Sequence, residues 1–379
     1  MLLLHPPAHP SWQTEYIQKL QKEFSRNFSL VKRQSWDQQQ IDRSFRRCPS
    51  INLVFPKIIR KIPLMQLSTL GEFGLIRKFS HSSKKSKKVV LGIGDDAAAV
   101  LPSRKDHLML LTCDSVIEGI HFNSSATPYQ MGWKAISRNL SDIAAMGGTP
   151  LYALVSASLP SKISVSKAMN IHRGLTAAAQ KYKTAIIGGD TSRSPQGIHL
   201  TVTVIGEVPK KELVLRSGAR IGDFLAVTGT LGGSILGKHL SFQPRIQEAR
   251  FLAQHFPPSA MIDLSDGLAS DLQRLAEQSK VGFEIWSDSL PISKALRGQK
   301  LSRTKEIRHA MQDGEDYELL FTISPEYFQP LQRSWKKHFK LPLTAIGIVR
   351  SHPFGIQLVK SLENQSLIHL PQAENDHFK

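Results

Sequence analysis

The chain has 379 residues, enough for two or three domains with sizeable cores. Its 41% hydrophobic and 21% charged residues exclude a disordered chain, a collagen-like repeat and a coiled coil. No apolar run reaches the ~18 residues a membrane-spanning helix needs, and Cys48 and Cys113 alone cannot build a disulfide framework or a cysteine-rich zinc fold, so a reducing cytoplasm is expected. The net charge of +18 suits an anionic partner: a metabolite, a nucleic acid or a membrane surface.

Residues 1–64 differ from the rest. Eleven Lys and Arg stand against four Asp and Glu, and no apolar period is sustained. His5-Pro6-Pro7 stops the Met1–Leu4 run short of a signal-peptide core. The stretch is expected to be a basic leader, disordered or not native, with translation starting at Met65. A short helix is predicted over Leu70–Phe79 and a solvated loop over Ser80–Lys88. Strands follow at Val89–Ile93 and Leu108–Thr112. Gly132–Met146 has helical spacing, with Trp133, Ile136, Leu140 and Ile143 on one face. Asp142 lies about 200° round from Leu140 and points away from that face.

Strands are predicted at Leu151–Leu159, Ala185–Ile187 and Leu200–Val208, with a helix over Ser166–Lys181. The composition shifts at Lys210–Gly222, where a domain boundary is expected. Beyond it come strands at Phe224–Val227, Phe283–Ile285, Glu318–Thr322 and Thr344–Ile348. Helices are expected at Gly233–His239, Leu268–Ser279 and Pro325–His338. The fold class is α/β.

Acidic residues recur in glycine-flanked segments after apolar strands. They are Gly92-Ile93-Gly94-Asp95-Asp96, Thr112-Cys113-Asp114 with Glu118–Phe122, Asn139–Asp142, Gly188-Gly189-Asp190, Ile262–Gly267 and Gly314–Glu318. Glycine permits sharp turns and close approach to a ligand. Carboxylates gathered this way suit Mg²⁺, which takes few protein oxygens together with substrate phosphates. Each segment alone also fits a turn, and Ser265 and Asp266 fit a helix cap. Gly232–Lys238 matches most of a P-loop, but His239 stands where the magnesium hydroxyl belongs, so it is not taken as a nucleotide cradle. Neither a zinc-protease motif nor a serine-hydrolase elbow occurs.

In this order the segments resemble the thiamine-monophosphate kinase family, from Gly71-Glu72-Phe73 to Asp376-His377-Phe378. The most specific pieces are Gly94–Ala98, Glu118–Phe122, Asn139–Gly147 and Gly314–Leu319. The resemblance implies a two-domain fold like that of aminoimidazole ribonucleotide synthetase. Residues 65–210 would bind ATP and metal and pair with a second copy into a dimer barrel; residues 211–379 would form a C-terminal α/β domain. The implied reaction is ATP-dependent phosphorylation of thiamine monophosphate to thiamine diphosphate, with several Mg²⁺ ions. No membrane partner is implied and no nucleic acid.

Carried over by motif, Asp96, Asp114, Asp142, Asp190 and Asp263 correspond to magnesium ligands, with Thr112 and Asp266 adding oxygens. Gly189, Arg216 and Ser265 correspond to ATP contacts, and His121 and Glu315 to substrate contacts. The acceptor phosphate is already anionic, so no protein nucleophile is implied. Two positions depart from the family pattern. Cys113 stands where threonine is common, and Leu370–Asn375 offers no aromatic ring to stack on the substrate. Another enzyme of the same fold, such as aminoimidazole ribonucleotide synthetase or selenophosphate synthetase, is the first alternative. A nucleic-acid-binding protein is the second, and no RNA-binding aromatic motif supports it.

Overall fold

A computed structural model describes residues 89–91, 95, 97–101, 105–361, 363 and 366–368. The leader, the helix expected at 70–79, the lysine-rich 80–88 stretch, Asp96 and the 370–378 segment lie outside the described residues. No described helix is long and apolar enough to cross a membrane.

The first half builds one sheet and two helices. Its elements are β1 (Val89–Leu91), β2 (Ala98–Val100), β3 (His107–Ile117), α1 (Pro128–Ala145), β4 (Thr149–Pro160), α2 (Val165–Lys181), β5 (Ala185–Ser194) and β6 (His199–Pro209). The strands pair in the order β1-β2-β3-β6-β4-β5. Alternate residues of β6 are buried, as a strand with one covered face requires. Leu110, Val202 and Val204 from that face meet Ile136, Leu140 and Ile143 of α1, all fully buried. Each such side chain contributes roughly 1.5–3 kcal/mol.

Helix α1 starts four residues before its expected first residue. Thr127 and Gln130 form a reciprocal capping box, and Pro128 occupies the first turn. Helices α1 and α2 cross at two glycines. A Cβ on Gly132 would sit 2.0 Å from the Ile171 carbonyl, and one on Gly174 would sit 1.9 Å from that of Tyr129.

The second half comprises β7 (Phe224–Thr228), α3 (Ile246–His255), β8 (Ala260–Asp263), α4 (Leu268–Ser279), β9 (Gly282–Trp286), α5 (Lys294–Arg297), α6 (Arg303–Gln312), β10 (Leu319–Ile323), α7 (Pro325–His338), β11 (Leu343–Arg350), β12 (Ile356–Val359) and β13 (Leu367–Ile368). Its sheet runs β13-β12-β9-β11-β7-β10-β8. Among the described residues of this sheet, only β12 and β9 pair in parallel. Leu268, Leu272 and Leu275 bury α4 against a core of its own. Helix α1 also packs on β8, where Ser141 of the first half meets Asp263 of the second.

Three expectations need correction. Gly233–His239 is not a helix but two 3-10 turns, Ser234–Leu236 and Lys238–Leu240. Gly237 between them has φ of 134°, which no helix accommodates. Asp114 and Asp190 do not follow strand ends: β3 runs on to Ile117 and β5 to Ser194, so both lie inside strands. Neither Ser265 nor Asp266 caps α4; Gly267 is its N-cap and makes no side-chain cap bond.

Candidate active site

Lys134, Arg138, Ser141 and Asp142 recur at three- and four-residue spacing, so they share one side of α1. From 134 to 142 the stripe spans about 12 Å. Each member binds a different segment. Lys134 Nζ donates to the His121 carbonyl at 2.5 Å and to Glu315 Oε2 at 2.6 Å. Arg138 Nη1 donates to the Ser115 carbonyl at 3.1 Å, and its Nε lies 3.6 Å from Asp114 Oδ2. Ser141 Oγ donates to Asp263 Oδ2 at 2.6 Å, and Asp142 accepts from Thr112 Oγ1. Asn139 beside the stripe accepts the Asp114 amide at 3.0 Å. The helix thus gathers Thr112 and Asp114 from β3, Asp263 from β8, His121 from the turn after β3, and Glu315.

The cleft that Arg138 of this stripe enters has a volume of about 710 Å³. His121, Arg138, Ser265, Asp266, Arg308 and Glu315 are among the residues that line it. Its fixed charges are therefore mixed, with two guanidinium groups suited to phosphate oxygens. His121 Nδ1 accepts the Ile117 amide at 3.0 Å, which assigns the ring proton to Nε2. Burial lowers the Lys134 ammonium from its ordinary value, and Glu315 opposes that shift. Burial also works against the Arg138 charge, but Tyr317, Asp114, Glu315 and Asp142 outweigh it and hold the guanidinium protonated.

The glycine-rich loop at 232–238 is folded against the segment that carries Glu315. The Gly232 and Gly233 amides donate to Asp316 and Asp313 at 2.8 and 2.7 Å. Lys238 Nζ reaches Glu318 Oε1 at 2.8 Å. These donors, which a nucleotide cradle would turn toward phosphate, are spent on carboxylates. Asp316 and Glu318 accordingly face inward rather than the cleft, both nearly fully buried. Burial pushes Asp316 up to about 7. Burial works in the same direction on Glu318, yet Lys238 and Arg245 overcome it and hold that carboxyl below its usual range.

Two protein-family profiles match the chain: AIR synthase related protein, N-terminal domain, over residues 94–208, and AIR synthase related protein, C-terminal domain, over 216–349. Thiamine-monophosphate kinase of Rhodopirellula baltica is 39% identical over 276 residues, 70% of this chain and 85% of that protein. The enzyme of Bacillus subtilis is 35% identical over 334 residues, 82% of this chain and 100% of its own length. This chain belongs to the thiamine-monophosphate kinase family. Among solved structures, AaThiL complexed with AMPPCP and TMP superposes with a TM-score of 0.69 at 35% identity, covering 80% of this chain and 98% of that one. The HypE–HypF complex, at 17% identity and a TM-score of 0.61, shares the fold.

Within this member of the family the predicted site residues divide into groups. His121, Glu315, Ser265 and Asp266 line one cleft. Thr112, Asp114, Asp142 and Asp263 cluster on α1 through the bonds above. Arg216 pairs with Asp95, its amide 3.3 Å from Oδ2 and its Nε 3.9 Å from Oδ1. Asp266 is tied to Arg274, which also holds the buried Asp271.

Gly189 and Asp190 are not brought to that cluster. Asp190 pairs with Ser156, Thr201 and Ser115 in one row across the sheet. Ser115 Oγ and Thr201 Oγ1 meet at 2.7 Å on the face opposite α1. Asp190 thus lies about three strand spacings, roughly 14 Å, from β3. Gly189 is required by strand pairing, because a Cβ there would lie 1.8 Å from the Val155 carbonyl. Cys113 also faces away from α1, its sulfur accepting from Thr203 at 3.3 Å.

Among the described residues no three His, Cys, Asp or Glu side chains converge into a ready metal cage. Oxygen donors offered singly or in pairs match Mg²⁺, which keeps several waters and takes one or two carboxylates. Sequence reasoning missed Lys134, Arg138 and Arg308. The signal for the first two was present: polar residues at 134, 138, 141 and 142 on a helix whose other side is apolar.

Proposed function

We propose that the chain transfers the γ-phosphoryl group of ATP to thiamine monophosphate, giving ADP and thiamine diphosphate. The observation that carries this reading is the polar stripe of α1, which joins a cleft of mixed charge, with two guanidinium groups in its lining, to an oxygen-rich group of aspartates at its other end. A relative complexed with an ATP analogue and TMP supports the substrate pair.

His121 and Glu315 hold the acceptor in the cleft, with the Nε2 proton of His121 and the guanidinium groups of Arg138 and Arg308 as donors to its phosphate. Ser265 and Arg216 contact ATP. Asp114, Asp142 and Asp263, with Thr112, Asp96 and Asp266, would hold magnesium ions. Asp190 and Gly189 keep the phosphate-side roles that their motif implies, and there the support is family resemblance. Bound magnesium would neutralise phosphate charge between donor and acceptor.

An oxygen of the acceptor phosphate attacks the γ-phosphorus in line, and the bond from that phosphorus to the β-bridging oxygen breaks as ADP leaves. The attacking oxygen is already anionic, so no side chain has to remove a proton. The task of the chain is therefore to overcome like-charge repulsion and align the two phosphates. Arg138 suits it, because its carboxylate surroundings keep it cationic.

The reading also assigns a cytoplasmic site of action, supported by the two-cysteine composition. It further divides the chain near residue 210, supported by profile matches that end at 208 and resume at 216.

The test is an assay of the full chain with ATP, Mg²⁺ and thiamine monophosphate, with product measured as thiamine diphosphate. EDTA should abolish product. Asp142→Asn, which keeps the shape and removes the charge, should lower kcat at least about 100-fold with the thermal transition preserved. Folded wild-type protein that binds ATP but makes no thiamine diphosphate rejects the substrate assignment.

A further inference from the structure

Lys134 is fully buried on α1. A buried ammonium is held only where its charge is matched, and an apolar residue would fill the same volume more favourably. Its two partners come from opposite halves of the chain. One is the carbonyl of His121, in the turn that follows β3; the other is the carboxylate of Glu315, 181 residues further on. Neither partner sits in a helix or strand; the Glu315 amide donates to the Ser265 carbonyl at 2.7 Å and the His121 amide to that of Ile117 at 2.9 Å, and Lys134 adds the bond that joins the two segments. Glu315 has φ of 65°, a left-handed backbone that a non-glycine residue adopts only under constraint. Its side chain is 22% exposed, so it presents one edge to the cleft while Lys134 grips the other. His239 on the same cleft wall feels both charges.

We propose that Lys134 is the positioning residue for the acceptor substrate: it ties Glu315 to the His121 turn so that the acceptor meets a preformed pair. The inference rests on the reading of His121 and Glu315 as acceptor contacts. Lys134 itself does not line the cleft, so it acts through its two partners.

The experiment uses the full chain as wild type, Lys134→Met, Lys134→Arg, Glu315→Gln and the Lys134→Met/Glu315→Gln double variant. Lys134→Met should raise KM for thiamine monophosphate about tenfold or more, leave KM for ATP within about twofold, and lower kcat only modestly. Lys134→Arg should recover part of the loss. The double variant should be no worse than the worse single, because both remove the same tie. Unchanged KM for thiamine monophosphate, or additive losses, overturns the proposal.

Amide hydrogen exchange without substrate separates this inference from the reaction assigned above. Exchange at 119–123 and at 314–317 should quicken together in Lys134→Met while the core of α1 stays protected. If wild type makes no thiamine diphosphate, joint release of the two segments still supports the tie, and unchanged exchange overturns it. Should Lys134→Met fail to fold, Glu315→Gln decides: faster exchange at 119–123 supports the tie, and unchanged exchange there overturns it.

Discussion

Asp316 shows how one residue inside a functional motif can serve the fold and leave the chemistry to its neighbour. Glu315 reaches the cleft, whereas Asp316 is buried and accepts the Gly232 amide, which helps close the glycine-rich loop. Burial raises the Asp316 carboxyl from 3.8 to about 7. A carboxyl raised in the folded state is protonated in both states below the unfolded value. Between pH 4 and 7 the unfolded chain ionises first, so Asp316 increasingly disfavours folding across that window. Asp316→Asn keeps the acceptor oxygen for Gly232 and removes the ionisation. The variant should gain stability relative to wild type as pH rises from 4 to 7, by on the order of 2–4 kcal/mol. Urea unfolding of both proteins at several pH values measures it; a pH-independent difference would contradict the burial argument.

Helix α1 is the element on which the site depends, and its position rests on the crossing with α2. Gly132 and Gly174 let the two backbones touch. Gly174→Ala must push the helices apart or distort α1 near Trp133, at a cost of about 1–3 kcal/mol. A lower thermal midpoint together with reduced turnover is expected, since α1 carries both ends of the site; a change in neither would show that the crossing has slack. Much of α1 was legible in the sequence. The stripe of Trp133, Ile136, Leu140 and Ile143 is buried as its period requires, and Asp142 points to the other side. The capping box at Thr127 was equally readable and went unused. Motif content pointed to His121, Glu315 and the aspartates. It did not reveal that Asp114 and Asp190 lie inside strands on opposite faces of one sheet, because face depends on register and register depends on pairing partners. The role of Lys134 was likewise hidden, since its partners are fixed by tertiary contacts 13 and 181 residues away.

At the scale of the whole molecule, the sheet of the first half has one face covered by α1 and α2 and another left open among the described residues. Tyr152, Leu154 and Ile187 are exposed, at 45%, 40% and 57%, although they are large and apolar. Strand β5 ends the sheet with its outer edge unpaired among the described residues. An apolar sheet face beside an open edge favours association, and a soluble chain normally protects such an edge. Self-pairing through this face would account for both features, and a symmetric dimer is the commonest closed solution. Asp190 and Gly189 lie on the strand that borders it, so docking a second copy would also enclose the residues that α1 does not reach. Wild type should therefore sediment as a dimer. Leu154→Arg sets a charge among these apolar side chains in each copy and should shift the protein to monomer, with far-ultraviolet dichroism unchanged because the residue is outside the core. If only the α1 cluster and its cleft are needed, the monomer retains full turnover. If β5 completes the phosphate side, turnover falls with the monomer fraction, and raising protein concentration restores both together. A wild type that sediments as monomer across micromolar concentrations would remove self-pairing as the reason for the open face.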